Sequence, residues 1–140
     1  MTSAAVRAVL DLPLHRAIGL RLIDDDDPTA GIEFVVGDLS VNPSGGLHGG
    51  LVPLGIDVAA YLSIVDTLAP GTNAVTVNVD ASLIAAVSPG RAVRFTASVD
   101  RRGRSLVFDS GRAWDGERLV ATGQVVKSIV VATPPSSDAR

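Results

Sequence analysis

From residue 74 onward the chain alternates with a period of two. Val75, Val77, Val79 and Ala81 interleave with Thr76, Asn78, Asp80 and Ser82, the pattern of a half-buried strand. Further strand-like runs cover 92–99, 105–113 and 119–131, punctuated by Ser88-Pro89-Gly90, Arg102-Gly103 and Asp115-Gly116. Two more strands are expected upstream, over 19–23 and 30–36, joined by the acidic turn Asp24-Asp25-Asp26-Asp27-Pro28. Between the two groups lies a long apolar segment with no period of two. It predicts one helix over 48–68, stopped by Pro70-Gly71. Its apolar residues sit nearly all round, so the helix is expected to be buried on every side. A short helix over 3–10, capped by Ser3, and a connector over 11–16 complete the chain. The pattern predicts an α+β fold in which six antiparallel strands form one curved sheet wrapped around the long helix. Residues 1–132 are expected to form a single domain, followed by a polar tail over 133–140.

Composition narrows the chemistry. The chain has 140 residues, 46% hydrophobic and 19% charged, with mean hydropathy +0.35, which suits a packed core. A net charge of -3 and a pI of about 5.2 give no basic footprint for nucleic acid. Cysteine is absent, which removes disulfides, thiol nucleophiles and zinc–thiolate sites. Only two histidines occur, His15 and His48, so no metal site is expected. The acidic run at 24–27 reads as a solvated tip, because consecutive strand residues do not converge on one ion. Lys127 is the sole lysine, which excludes a Walker A loop and weakens any Schiff-base reading. The apolar stretch 47–68 contains Pro53, Asp57 and Asp66, unlike a membrane span. Residues 1–20 carry Arg7, Asp11, His15 and Arg16 and lack an export h-region, so a cytoplasmic protein is expected.

The usual hydrolase signatures fail. No serine sits in G-x-S-x-G; Ser105 has Gly103 before it but Val107 after it. H-E-x-x-H and G-x-G-x-x-G are also absent. Two features remain. The first is the turn-rich segment Val41-Asn42-Pro43-Ser44-Gly45-Gly46-Leu47-His48-Gly49-Gly50, leading into the helix. Backbone N–H groups at a helix start lack intrahelical acceptors, and glycine lets a ligand approach them. Such a donor stabilises a developing oxyanion; the plain alternative is a glycine-rich loop entering a helix. The second is Asp57, a carboxylate between Ile56 and Val58 in the middle of an apolar helix. A charge in that setting has a partner or a task. It serves either as a base or as a structural carboxylate held by a neighbouring strand.

Together, Asn42-x-x-Gly45-x-Leu47-His48-Gly49-Gly50 and Asp57 resemble the hotdog-fold acyl-CoA thioesterases. The closest resemblance is to the phenylacetate-degradation type within the 4-hydroxybenzoyl-CoA thioesterase superfamily, and it runs from about residue 20 to 131. It implies the hotdog fold and hydrolysis of an acyl-CoA to a carboxylic acid and free CoA. No cofactor is implied, CoA being part of the substrate. By this resemblance Gly49 supplies the N–H that polarises the thioester carbonyl, and Asn42 and His48 orient its loop. Asp57 is nucleophile or base, and Thr76 helps place the water. The nucleotide end of CoA is expected near Arg91 and the Arg101-Arg102-Gly103-Arg104 turn, whose plain reading is a solvated hairpin tip. Gly50 belongs with the substrate-binding residues. Tyr61, one turn after Asp57 on the same helix face, either lines an acyl pocket or is a core tyrosine.

Spacing adds a separate expectation. Gly49 and Asp57 are eight residues apart, about 12 Å along a helix. One chain cannot bring both to a single thioester carbon. A two-fold partner with an antiparallel helix can, so an obligate homodimer with shared sites is expected, alone or as a dimer of dimers. The alternatives are a non-catalytic acyl-CoA-binding protein, a dehydratase, which the His48-Gly49-Gly50 context disfavours, and a dimer with a dead site, which the intact Asp57 disfavours. With 4% aromatic residues, the composition singles out neither an aryl nor a medium aliphatic acyl group.

Overall fold

The computed structural model describes residues 2–133; most of the expected tail, 134–140, lies outside the described residues. Helix α1 spans Ala4–Leu10, and the Ser3 hydroxyl accepts from the Val6 N–H, as its capping position predicts. The expected connector at 11–16 is instead largely a helix, α2, over Pro13–Ala17. Pro13 starts it rather than breaking it, because the first helical position needs no N–H. Strands β1 (Arg21–Leu22) and β2 (Ile32–Val35) are shorter than expected. The turn between them is exposed, and the Asp27 carboxylate caps a 3-10 turn over Pro28–Ala30.

Helix α3 spans Leu51–Ile64 and continues as a 3-10 turn over Val65–Thr67. Strands β3 (Thr72–Leu83), β4 (Ala92–Arg102), β5 (Leu106–Asp115) and β6 (Arg118–Val131) follow. All six strands form one antiparallel sheet in the order β1-β2-β4-β5-β6-β3. The sheet curls around α3, the α+β hotdog architecture that the pattern and the resemblance predicted.

Glycine lets α3 press into the sheet. Gly111 and Gly123 are direct cross-strand partners on β5 and β6. A Cβ at Gly111 would lie 2.4 Å from Ile56 Cγ2, and one at Gly55 would lie 2.6 Å from the Phe95 ring. Phe95 in turn stacks on Phe34, with ring centroids 5.7 Å apart. The fully buried Ile56 is thereby seated where any larger residue on the sheet would push the helix away.

Two differences from the expected pattern shape the site. The helix is not buried all round. Pro53, Leu54, Asp57 and Tyr61, at helical spacing, form a half-exposed stripe. Strand β3 does not keep a single period of two either. Its register against β6 passes from Thr76↔Lys127 to Asn78↔Val126, leaving Val77 as a bulge. The bulge changes which residues face inward. Val79 and Ala81 pack on the core, whereas Val75 and Val77 stand exposed and Thr76 faces α3.

Candidate active site

The segment ahead of α3 is held by its own side chains. Asn42 Oδ1 accepts from the N–H groups of Ser44 and Gly46, at 3.0 and 3.1 Å, and its Nδ2 donates to the Leu47 carbonyl. The Asn42 backbone exchanges two further bonds with Gly45 and Gly46. His48 Nδ1 accepts from the Gly50 N–H at 3.0 Å. Asn42 and His48 therefore shape this loop. The helix starts later than expected, with Gly50 as its N-cap, so Gly49 stands one residue before the cap and not in the first turn. Among the described residues, the Gly49 N–H donates to no protein acceptor, whereas that of Gly50 is taken by His48. Gly49 lies against Leu83, whose Cδ2 would be 2.9 Å from an added Cβ.

Asp57 projects from the exposed stripe of α3 toward β3 and β6, with 29% of its side chain accessible. Thr76 Oγ1 donates to Asp57 Oδ1 at 2.8 Å. Lys127 Nζ donates to the same oxygen at 2.9 Å and to Thr76 Oγ1 at 3.0 Å. The Thr76 hydroxyl thus accepts from the ammonium and donates to the carboxylate. The hydroxyl expected to help place the water therefore stands directly against the carboxylate. Asp57, for which a partner or a task was expected, is an ion-paired and half-exposed carboxylate held from the neighbouring strands.

Lys127 is the member of this cluster that sequence reasoning missed. It is 2% exposed, and its Nζ lies 5.6 Å from the Tyr61 ring centroid. A signal was present: the sole lysine stands in the apolar run Val125-Val126-Lys127-Ser128-Ile129, in phase with Val125 and Ile129. A buried ammonium needs a counter-charge, and Asp57 supplies it.

The other expected residues fall in three places. The Tyr61 hydroxyl donates to Asn73 Oδ1 at 2.9 Å, and burial, helped by nearby Asp66, pushes the phenol pKa up. Tyr61 also lines a groove of about 500 Å³ between α1 and the end of α3, with Ala8, Val9, Leu12, Val65 and Leu68. Arg101, Gly103 and Arg104 border a shallow depression of about 460 Å³ with Leu106 and Phe108. Arg102 lies on strand β4, not in the turn, and donates to the Thr67 hydroxyl and carbonyl. Arg91 is not with them. It precedes β4, ten residues from Arg101, about 33 Å along an extended strand. There it pairs with Asp115, which also holds Arg118. Hydrogen bonds from Arg91 and Arg118 keep the Asp115 carboxyl below its ordinary range.

A curved sheet around one helix is the hotdog fold, and the carboxylate on the helix and the glycine loop at its start stand where the resemblance to thioesterases implies them. A family model described as "FlK: Fluoroacetyl-CoA-specific thioesterase" matches residues 55–133, more than half of the chain, and the chain belongs to that family. It is a thioester hydrolase of the hotdog superfamily. No curated protein matches the chain by sequence. Among solved structures, thioesterase HI1161 from Haemophilus influenzae is 17% identical, with 96% of this chain and 94% of that one covered at a TM-score of 0.84. The E. coli PaaI protein from the phenylacetic acid degradation operon is 18% identical, with 92% of each chain covered at a TM-score of 0.79. The BH2602 protein from Bacillus halodurans, solved with CoA, is 20% identical, with 91% of this chain and 82% of that one covered at a TM-score of 0.78. These three likenesses establish the fold.

Proposed function

We propose that the protein hydrolyses a small acyl-CoA, using Asp57 of one chain and the Gly49 N–H of a two-fold partner. The observation that carries this reading is the Asp57–Thr76–Lys127 cluster, open on one side and set beside the edge strand β3. Val75 and Val77 on that edge are 45% and 60% exposed. A long apolar edge is a pairing surface that proteins normally cover. A second β3 lying antiparallel would cover it and bring the stripe of α3 that bears Asp57 against the partner's glycine loop. The spacing of eight residues between Gly49 and Asp57, about 12 Å, asks for that arrangement.

In the reaction, the thioester carbonyl oxygen faces the Gly49 N–H, which stabilises it as negative charge develops. Asp57, oriented by Thr76 and Lys127, acts in one of two ways. As a base it takes a proton from water while the hydroxide adds to the carbonyl carbon. As a nucleophile it adds to that carbon itself, and water then cleaves the resulting anhydride. In both, the C–S bond breaks, the thiolate takes a proton, and the products are a carboxylate and CoA-SH. The groove beside Tyr61 suits a short or medium apolar acyl group. Arg101 and Arg104 suit the phosphates of CoA. Family membership favours this hydrolase over an acyl-CoA-binding protein without activity.

Acetyl-, fluoroacetyl-, hexanoyl- and phenylacetyl-CoA, followed with a thiol-detecting reagent, test the substrate class. Thiol release from none of the four would overturn it. The shared site is tested by mixing Asp57→Asn with Gly49→Pro, each nearly inactive alone. Proline deletes the Gly49 N–H, and its Cβ would meet only the end of the Leu83 side chain, 2.9 Å away. Random assortment makes half the dimers mixed, each with one intact site of two, so about a quarter of wild-type activity should return. No recovery, with mixed dimers demonstrated and folded, sinks the cross-chain site.

A further inference from the structure

A second carboxylate lies beside the site and takes no part in the chemistry above. Asp109 on β5 is 1% exposed. Its cross-strand partner is Val125, and Lys127 lies opposite Val107, so Asp109 and Lys127 are diagonal neighbours on the inner face of the sheet. Asp109 Oδ2 has no hydrogen-bond partner among the described residues. Oδ1 lies 3.2 Å from Ser63 Oγ on α3. The Ser63 hydroxyl has one proton and two acceptors in reach, the other being the Ala60 carbonyl at 2.7 Å. Around Asp109 stand Asp57 and Ser63 from α3, Asp100 from β4 and Lys127 from β6. One buried ammonium therefore faces two carboxylates. It is bonded to Asp57 and lies beyond ion-pair distance of Asp109.

We propose that Asp109 is a positioning residue, a second counter-charge for Lys127 that takes over when Asp57 becomes neutral during turnover. This rests on the reading of Asp57 as the acting carboxylate. As a base Asp57 gains a proton, and as a nucleophile it gains an acyl group. Either way its negative charge disappears, and Lys127 is left as a buried cation without a partner. An isolated buried charge is costly. An ionised Asp109 lowers that cost, since Lys127 then faces Asp109 and the pair is neutral. A protonated Asp109 offers no charge, and Lys127 then depends on Asp57 alone, which lowers the basicity of that carboxylate and opposes the loss of its charge during turnover. Burial raises the Asp109 carboxyl to about 6, against the lowering effects of the Ser63 hydrogen bond and the Lys127 charge. The change between the two states thus falls just below neutral pH.

The test is kcat and KM from pH 5 to 9 on the best thioester of the panel above. The wild type should lose kcat on the acid side with a midpoint near that of Asp109. Asp109→Asn should lower kcat about tenfold at pH 7.5, leave KM within about twofold, and abolish that acid limb. Asp109→Glu should restore part of kcat and keep the limb. In a Lys127→Gln background, Asp109→Asn should change kcat less than about twofold, since the two act through one interaction. An acid limb that survives in folded Asp109→Asn overturns the proposal, as do losses that simply multiply in the double variant. If Asp109→Asn does not fold, Ser63→Ala decides. It removes a bond that favours the ionised acid, so the limb must move to higher pH, and an unmoved limb overturns the proposal equally. Full activity in Asp57→Asn would instead overturn the reading of Asp57, whatever Asp109 does.

Discussion

The loop at 42–50 keeps its shape through short-range bonds. The side-chain bonds of Asn42 and His48 span no more than five residues. The carboxylate half of the site is built the other way. Thr76 is 19 residues from Asp57, and Lys127 is 70. It also contains the one buried ammonium among the described residues, whereas the loop contributes backbone N–H groups and the side chains of Asn42 and His48. The loop can therefore form wherever its sequence occurs, but the carboxylate half exists only once β3, β6 and α3 have come together. Damage to the loop should change catalysis with little change in stability. Damage to the carboxylate half should change both, except where the replacement leaves the buried ammonium a partner.

Asp57→Asn is that exception and should show the largest catalytic effect. The amide oxygen can still accept from Lys127 and Thr76, but it is a poor base and nucleophile. Turnover on the best thioester should fall about 10²- to 10⁴-fold, while circular dichroism and the denaturation midpoint show a folded protein. Wild-type turnover by this variant would make the cluster structural and leave the glycine loop without a reacting partner.

Lys127→Gln and Asn42→Ala set the two halves against each other directly. Removing one member of a buried ion pair costs about 3–5 kcal/mol. Asp57 is still 29% accessible, so water can recover part of its solvation and the lower end, about 3 kcal/mol, is expected. Asn42→Ala removes hydrogen bonds at the surface and should cost about 1 kcal/mol. It should nevertheless lower kcat about tenfold, because the Gly49 N–H is then held less firmly. Urea midpoints and kcat measured on both variants check this. Equal stability losses would erase the contrast between a local half and a long-range half.

The same contrast explains what could be read from the sequence. Alternation in 74–131 and one apolar segment were enough for a curved sheet around a helix, because wrapping is the way to bury that segment, and the resemblance supplied the hotdog fold. Asn42, His48 and Gly49 were singled out by the resemblance to a family, and that motif is contiguous because the bonds of Asn42 and His48 are local. Lys127 was not, although its position as the sole lysine in an apolar strand is unusual. Its partner depends on the β3–β6 register, and that register contains a bulge at Val77 that no period of two foretells. Without the bulge, Val75, Val77, Val79 and Ala81 would share one face. With it, Thr76 turns inward to Asp57 and two valines are left on the exposed edge. Helix α2 falls in the segment read as a connector; it is one turn long, and Pro13 is its start. The arginines were grouped by the resemblance, as neighbours of the nucleotide end of CoA, whereas Arg91 and Arg101 lie at opposite ends of β4.

That last separation gives the smallest effect and the finest test of how binding and structure divide. Arg102 is tied to Thr67 by two hydrogen bonds, whereas Arg101 and Arg104 border an open depression with Phe108. Contacts to CoA phosphates lie far from the reacting carbonyl, so they bind substrate and transition state alike. The double change Arg101→Ala/Arg104→Ala should therefore raise KM about three- to tenfold for an acyl-CoA, with kcat nearly unchanged. The rise should vanish for a short thioester lacking the nucleotide. Arg102→Ala should instead lower stability by under about 1 kcal/mol, as expected for an exposed polar anchor, with KM unaffected on either substrate. Both can be read from the same set of saturation curves and urea titrations. A KM rise confined to Arg102→Ala would move the phosphate site to the Thr67 side of the turn. Equal KM rises on the long and the short thioester would show that Arg101 and Arg104 act through the fold of the β4–β5 hairpin and not through CoA.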